Sequence, residues 1–139
     1  MFKRSFDEYL YKYGLHDCVI DSIYIVGDRL HLNMSSGVYN LMPNGTETEK
    51  TSSCDLVLEI DDFDKYKPWQ HIEVNRSYKR KLYDVKFDSF IEKVKKYKFD
   101  IDINYFSPFC STILIHGYLD KGKYEIIISE IKSIQFVFH

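Results

Sequence analysis

The sequence predicts an α+β fold that consists mainly of antiparallel β-sheet, with seven or eight strands and two short helices. Short runs in which apolar and polar residues alternate recur between turn signals, a pattern typical of strands. Tyrosine and phenylalanine, which favour strands, number 12 and 10. We expect an α+β sheet or a partly rolled barrel, in one domain spanning residues 1–139.

The best-defined element is a hairpin over residues 22–34. Gly27-Asp28 is a two-residue turn signal between two alternating runs. With that loop, Tyr24 pairs with His31 and Ile25 pairs with Leu30. One face then carries Ile23, Ile25, Leu30, Leu32 and Met34, and the other carries Ser22, Tyr24, His31 and Asn33. A slip by one residue would break both the turn and the pattern, so the register is well specified.

Helical spacing occurs twice in the sequence. Ser5 and Glu8 form a capping box ahead of an apolar stripe that runs from Phe6 to Tyr13, and Gly14 ends this first helix. The second helix is predicted by helical spacing around Phe87, Phe90, Ile91, Val94 and Tyr97, with Asp84 or Asp88 as alternative N-caps. Residues 77–86 fit neither period clearly.

The remaining strands follow from alternation between turn signals. Residues 42–53 are polar and predict a long, mobile hairpin loop, and residues 61–69 predict a second loop because Pro68 disfavours a central strand. Further strands are expected at 54–60, 71–74, 99–105, 112–119, 124–129 and 134–138, with residues 120–123 as a hairpin turn.

Composition and charge exclude several classes of protein. With 19 basic and 21 acidic residues, the chain lacks the basic excess of a nucleic-acid binder. No apolar run is long enough to cross a membrane, and the charged start does not fit a secretory signal peptide. Cys18, Cys54 and Cys110 are too far apart for a zinc knuckle or a disulfide framework. We therefore expect a cytoplasmic protein with reduced thiols and no cofactor.

Most candidate catalytic motifs fail on their spacing. Adjacent His16 and Asp17 point to opposite sides of an extended chain, so a role in fixing the turn is favoured over catalysis. Residues 100–111 resemble a calcium loop only at their start, because Tyr105 replaces the required glycine and Ser111 the required acid. Nucleophile motifs and phosphate-binding loops are absent, and an inert thiol is favoured for Cys110 over a nucleophile activated by His116.

One ligand-binding or enzymatic alternative stays open. His71 and Glu73 share one strand face, and with His116 they could line an aromatic cavity in a barrel-like fold. A catalytic zinc site would need a third ligand, and nothing singles one out, so no metal is predicted. Another alternative is a subunit that oligomerises through an edge strand at residues 134–138.

The strongest candidate for function is an acidic segment that is followed at once by aromatic residues. Acidic residues concentrate between positions 55 and 64, namely Asp55, Glu59, Asp61, Asp62 and Asp64, and are followed by Tyr66 and Trp69. Such a surface suits docking of a basic protein, because opposite charge steers the encounter and aromatic side chains supply contact area. We predict the partner-binding residues Asp61, Asp62, Asp64, Tyr66 and Trp69. The competing interpretation is a solvated loop with Trp69 in the core.

Two stretches carry a resemblance to a known group of proteins. These are Leu15-His16-Asp17-Cys18-x-Ile20-x-x-Ile23, followed by Asp28-x-Leu30-x-Leu32 and Gly37-x-Tyr39, and Ile115-His116-Gly117 in a late strand. The pattern resembles the openings of small bacterial proteins, some of which are grouped with the immunity proteins of polymorphic toxin systems. The resemblance implies a cytosolic protein that binds and blocks one cognate toxin, and it brings no active-site residues. Because the sequence also lacks a catalytic constellation, we predict a non-enzymatic binding protein, most concretely a toxin-neutralising immunity protein.

Overall fold

The computed structural model describes residues 6–139, which form three antiparallel sheets. Ser5, and with it the predicted capping box, lies outside the described residues. In the described part the chain begins with a π-helical turn at Glu8–Lys12. The strands are β1 (Tyr13–Gly14), β2 (Val19–Ile20), β3 (Ser22–Val26), β4 (Arg29–Met34), β5 (Tyr39–Leu41), β6 (Glu47–Lys50), β7 (Cys54–Ile60), β8 (Ile72–Tyr78), β9 (Lys81–Asp84), β10 (Phe99–Ser107), β11 (Thr112–Leu119), β12 (Gly122–Ile128) and β13 (Ile131–Phe138). The helix α1 spans Phe87–Tyr97, and a 3₁₀ helix spans Pro68–Gln70.

The α+β class and the antiparallel pairing are confirmed, whereas the strand count and the rolled barrel are wrong. Thirteen strands are present in residues 6–139, and they form open sheets of the orders β2-β10-β11-β12-β8-β9, β13-β7-β4-β3 and β1-β5-β6. The extra strands include two-residue bridges and β6, whose residues are all polar and exposed. Because β6 joins its sheet through the backbone without an apolar face, the alternation pattern does not reveal it.

The predicted hairpin is confirmed residue by residue. Tyr24 lies opposite His31 and Ile25 lies opposite Leu30, with Val26 opposite Arg29 at the turn. Gly27 has φ 63°, a conformation that glycine adopts without strain. The hairpin of β11 and β12 around residues 120–121 is also present as predicted.

The ambiguous stretch over residues 77–86 is a second tight hairpin rather than part of a helix. β8 and β9 pair from Asn75↔Asp84 to Tyr78↔Lys81 across a turn at Lys79 and Arg80, both with positive φ. The chain then enters α1, which covers the residues with the predicted helical spacing, but the N-cap position is held by Lys86, which makes no side-chain cap. Asp84 and Asp88 are therefore not N-caps, although Asp88 in the first turn suits the helix dipole.

The two large sheets share one apolar core with α1. The four-stranded sheet contributes alternate residues, and the six-stranded sheet and α1 complete the same buried cluster, which includes Ile23, Leu30, Leu32, Leu56, Leu58, Val74, Phe90, Val94, Ile113, Ile115, Ile126 and Ile128. Each sheet therefore presents its other face outward. Among residues 6–139, none of the helices combines the length and apolar character needed to cross a bilayer.

Candidate functional site

The segment that joins β7 to β8 carries all five predicted partner-binding residues. Asp61 is anchored at its start, because its N–H donates to the carbonyl of Glu130 (2.8 Å) and its Oδ1 lies 3.4 Å from Lys132 Nζ. Asp62 follows with φ 51°, which turns the chain away from the sheet. Asp64 Oδ1 then accepts a hydrogen bond from the N–H of Tyr66 (2.9 Å). Local bonds thus fix the loop and present its side chains to solvent.

Trp69 and Tyr66 project from this segment into solvent. Trp69 is 67% exposed and Tyr66 is 77% exposed, although both are large aromatic residues. The 3₁₀ helix explains the position of Trp69: Pro68 is buried at its start, and the next side chain faces outward. The alternative interpretation, with Trp69 in the core, is therefore wrong.

A groove of about 880 Å³ lies beside Trp69 and Tyr66. Its lining includes the buried apolar residues Pro68, Ile72, Val74 and Phe87, together with the exposed acidic residues Glu73, Asp84 and Asp88. Lys65 and Lys86 also line the groove, and Lys65 Nζ lies 5.2 Å from the centre of the Tyr66 ring. The site therefore combines an apolar floor, exposed aromatic side chains and a predominance of carboxylates.

Asp55 and Glu59 do not belong to this acidic surface. Both lie on β7 and point to the outer face of the four-stranded sheet, where Glu59 pairs with Arg29 (3.7 Å). The predicted run of five acidic residues is thus divided between two places, because residues 55–60 form a strand and residues 61–64 form the loop after it.

A polar network around Asp55 is the arrangement that sequence reasoning missed. Asp55 Oδ2 accepts hydrogen bonds from the Tyr24 hydroxyl and from His31 Nδ1 (3.0 Å). Its Oδ1 accepts from Asn33 Nδ2 (2.9 Å) and from His139 Nε2 (3.2 Å). The Tyr24 ring also stacks on His31, with ring centres 4.7 Å apart. The hairpin pattern in the sequence predicts part of this network, because it places Tyr24, His31 and Asn33 on one face. It does not predict that β7 lies beside β4.

Hydrogen bonding governs the ionisation of this network. Burial of the carboxyl acts to raise the pKa of Asp55, but hydrogen bonds from Tyr24, Asn33, His31 and His139 outweigh it and hold that pKa well below its usual range. The hydrogen bond to Asp55, aided by burial, raises the pKa of Tyr24 to about 12. Asp55 is therefore a stable carboxylate with four side-chain donors, which accounts for a buried charge on an outer sheet face.

His71, Glu73 and His116 have separate neighbours in the structure. His71 is buried beside Phe63, and its Nδ1 lies 3.3 Å from Glu130 Oε1, within ion-pair distance but without hydrogen-bond geometry. Glu73 accepts a hydrogen bond from Asn75, and His116 lies 3.6 Å from Glu125. His116 and Glu73 lie on the same outer face, but on strands that are separated by β12, and Glu73 lies two residues along β8 from the position opposite His116. Standard sheet spacings place their Cα atoms roughly 12 Å apart.

The remaining candidate groups form no shared site. Among residues 6–139, no set of three or more His, Cys, Asp and Glu side chains is arranged to hold a metal ion. Burial raises the pKa of the Cys18 thiol and raises that of Cys54 to about 11, whereas Cys110 is exposed. His16 and Asp17 approach each other after all, with Nδ1 and Oδ2 3.5 Å apart, because Asp17 has φ 60° instead of an extended conformation.

Comparison with known proteins gives no match to this chain, whether with protein-family models, curated proteins or solved structures.

Proposed function

We propose that this chain is a non-enzymatic binding protein that neutralises a cognate bacterial toxin by direct contact, in the manner of immunity proteins. The observation that carries the proposal is the exposure of Trp69 and Tyr66 on a fixed acidic loop. Exposing two large aromatic side chains leaves apolar area in water, and burial of that area against a partner would recover the lost free energy. Aromatic residues are also enriched among the residues that dominate binding energy.

The charge of the loop defines the partner's chemistry. Asp62 and Asp64 form no ion pair within the described residues, and Asp61 has only a solvent-exposed contact with Lys132. A basic partner would be attracted by this surface over a distance of about 10 Å at ordinary ionic strength. The proposed toxin is therefore basic at its contact surface, and the association rate should fall as salt is added.

The first experiment isolates a partner and then tests its inhibition. The tagged chain is used to capture proteins from its native cell lysate, and mass spectrometry identifies a stoichiometric partner. That partner is expressed alone, and its toxic activity is titrated with the purified chain. The proposal predicts complete inhibition at one equivalent. A partner whose activity is unchanged at tenfold excess would contradict it.

Neutral substitutions in the loop test where the partner binds. The triple variant Asp61→Asn, Asp62→Asn and Asp64→Asn keeps the side-chain acceptor at 64 and a residue tolerant of positive φ at 62. We expect its association rate to fall about tenfold, because steering by rim charges acts on that rate. A matched control removes three exposed charges elsewhere, as Glu92→Gln, Asp100→Asn and Asp120→Asn, and should bind as the wild type does. Equal loss in both variants would exclude the loop as the contact surface.

A further inference from the structure

The groove beside Trp69 exists because β9 pairs with only part of β8. Their register ends at Asn75↔Asp84, after which the N–H of Val85 donates to the carbonyl of Val74 (2.9 Å) and the chain leaves for α1. The carbonyl of His71 accepts from the N–H of Ser129 (2.8 Å) in the neighbouring β12. Main-chain groups alternate in direction along an antiparallel strand, so those of Ile72 face the side on which the groove opens. The gap in the sheet edge thus forms the groove.

The groove has an apolar floor and an exposed rim in which acidic side chains outnumber basic ones. Pro68, Ile72, Val74 and Phe87 are buried beneath it, and Trp69 stands exposed beside it. Within residues 6–139, no lysine or arginine forms an ion pair with its carboxylates Glu73, Asp84 and Asp88. Asp62 and Asp64 on the adjoining loop add further negative charge, and Lys65 and Lys86 in the lining offset part of it.

We infer that this groove receives a segment of the partner's chain in which a large apolar side chain is flanked by lysine or arginine. The inference rests on the proposed function and names the chemistry of the partner at this site. The apolar side chain would lie over the floor, where burial is favourable, and the cationic groups would approach the unpaired carboxylates. A guanidinium or ammonium group would also be attracted to the exposed face of the Trp69 indole.

Trp69 provides a direct reporter, because it is the only tryptophan in the chain. Its indole N–H gives a single signal in a ¹H–¹⁵N correlation spectrum of the labelled full-length protein. The probes are capped synthetic octapeptides with a central leucine or phenylalanine flanked by arginine and lysine. Matched peptides replace the basic residues by glutamate, replace them by serine, or replace the central apolar residue by alanine.

The inference predicts a saturable shift of the Trp69 indole signal, together with amide shifts at Tyr66, Glu73 and residues 84–88, for the basic apolar peptide alone. The double variant Glu73→Gln and Asp84→Asn should weaken this binding about three- to tenfold, the scale expected for two partly screened charge contacts. Asp100→Asn with Asp120→Asn removes the same charge from exposed sites elsewhere and should leave the affinity unchanged. A well-dispersed spectrum of each variant shows that it is folded.

The inference would be overturned by equal binding of the glutamate, serine or alanine peptide, or by saturable binding that shifts residues away from the groove. If no peptide shifts the indole signal while an isolated protein partner still binds, the groove assignment is wrong and the protein-binding function stands. If the basic peptide binds as expected but the captured partner is not inhibited, the neutralising function is wrong and the groove assignment stands.

Discussion

Asp55 lies on the outer face of the four-stranded sheet, yet only 3% of its surface is exposed. Its hydrogen-bond donors come from β3, β4 and the last residue of the chain, so one carboxylate ties together three parts of the molecule. Hydrogen bonds to a charged group are stronger than neutral ones, and an unpaired buried charge is costly. The network is satisfied within the chain, and we expect it to stabilise the fold.

Replacement of Asp55 by asparagine tests that role. Asp55→Asn removes the charge and leaves one side-chain oxygen as acceptor, whereas the two carboxylate oxygens accept hydrogen bonds from four side-chain donors. We expect the free energy of unfolding to fall by about 3 kcal/mol, on the scale of lost charge-assisted bonds at a buried site. Urea unfolding at neutral pH measures the change, with Asp100→Asn as an exposed control. A loss no larger than that of the control would show that the network contributes little.

The same residue predicts a dependence of stability on pH. Because the pKa of Asp55 is lower in the folded state, its contribution is fully present above the unfolded-state value of about 3.9 and is lost as the pH falls below it. Wild type should therefore lose stability more steeply than Asp55→Asn between about pH 5 and pH 2. Urea unfolding over this range checks the prediction, and identical slopes would contradict it.

Elements that form tight turns show strain that substitution can relieve. The β8–β9 turn places Lys79 and Arg80 at φ 48° and 64°, and the β11–β12 turn places Asp120 and Lys121 at φ 44° and 65°. Residues with a β-carbon are disfavoured in this left-handed region, whereas glycine adopts it readily. In both hairpins the second turn position, Arg80 or Lys121, is a long basic residue in this unfavourable conformation.

Glycine at those second positions should stabilise the protein. We expect Arg80→Gly and Lys121→Gly each to raise the free energy of unfolding by about 0.5–1 kcal/mol, the gain in turn conformation exceeding the added entropy of the unfolded chain. Thermal and urea unfolding measure the effect at two independent sites. Destabilisation by both substitutions would mean that the turns do not adopt these conformations.

The last strand, β13, lies at an edge of its sheet, where the sequence suggested a route to oligomerisation. In the structure the N–H of Phe136 donates to Glu8 Oε2 (2.9 Å), and Tyr13 packs against Phe136 and Phe138. The start of the described chain thus occupies part of the edge that a second copy would need. An edge protected in this way is a common defence against pairing between molecules.

Substitution of Glu8 tests whether this contact protects the edge of β13. Glu8→Ala should lower the free energy of unfolding by about 1 kcal/mol, because one backbone hydrogen bond to a charged group is lost. It should also raise the self-association measured by sedimentation velocity at high concentration. Glu92→Ala, on an exposed position of α1, is the control. Unchanged stability and sedimentation would show that Glu8 does not protect the edge.

At the scale of the whole molecule, local pairing could be predicted and long-range pairing could not. The β3–β4 register followed from Gly27-Asp28 and the alternation on either side, since a turn fixes the strands that it joins. Nothing in a local pattern places β7 between β4 and β13, or β8 beside β12. These contacts depend on how the whole apolar surface is buried, which is a property of all the strands together.

The candidate site divides in the same way. Tyr66 and Trp69 could be named from their position after an acidic run, but the sequence left open whether Trp69 faces the core or solvent. Its exposure depends on the 3₁₀ helix and buried Pro68, and the groove depends on where β9 ends. The Asp55 network required the order of strands and was beyond the reach of sequence patterns.

Hydrogen exchange of the complex with the isolated partner tests the central claim most directly. The proposed binding function and groove predict slower exchange on binding at residues 61–70, at 72–74 and at 84–88, with residues 100–107 and 112–119 unchanged. The neutral triple variant of the acidic loop should reduce the protection at a fixed concentration of partner. Protection confined to the outer face formed by β10 and β11, with residues 61–74 exchanging as in the free protein, would contradict the proposed site.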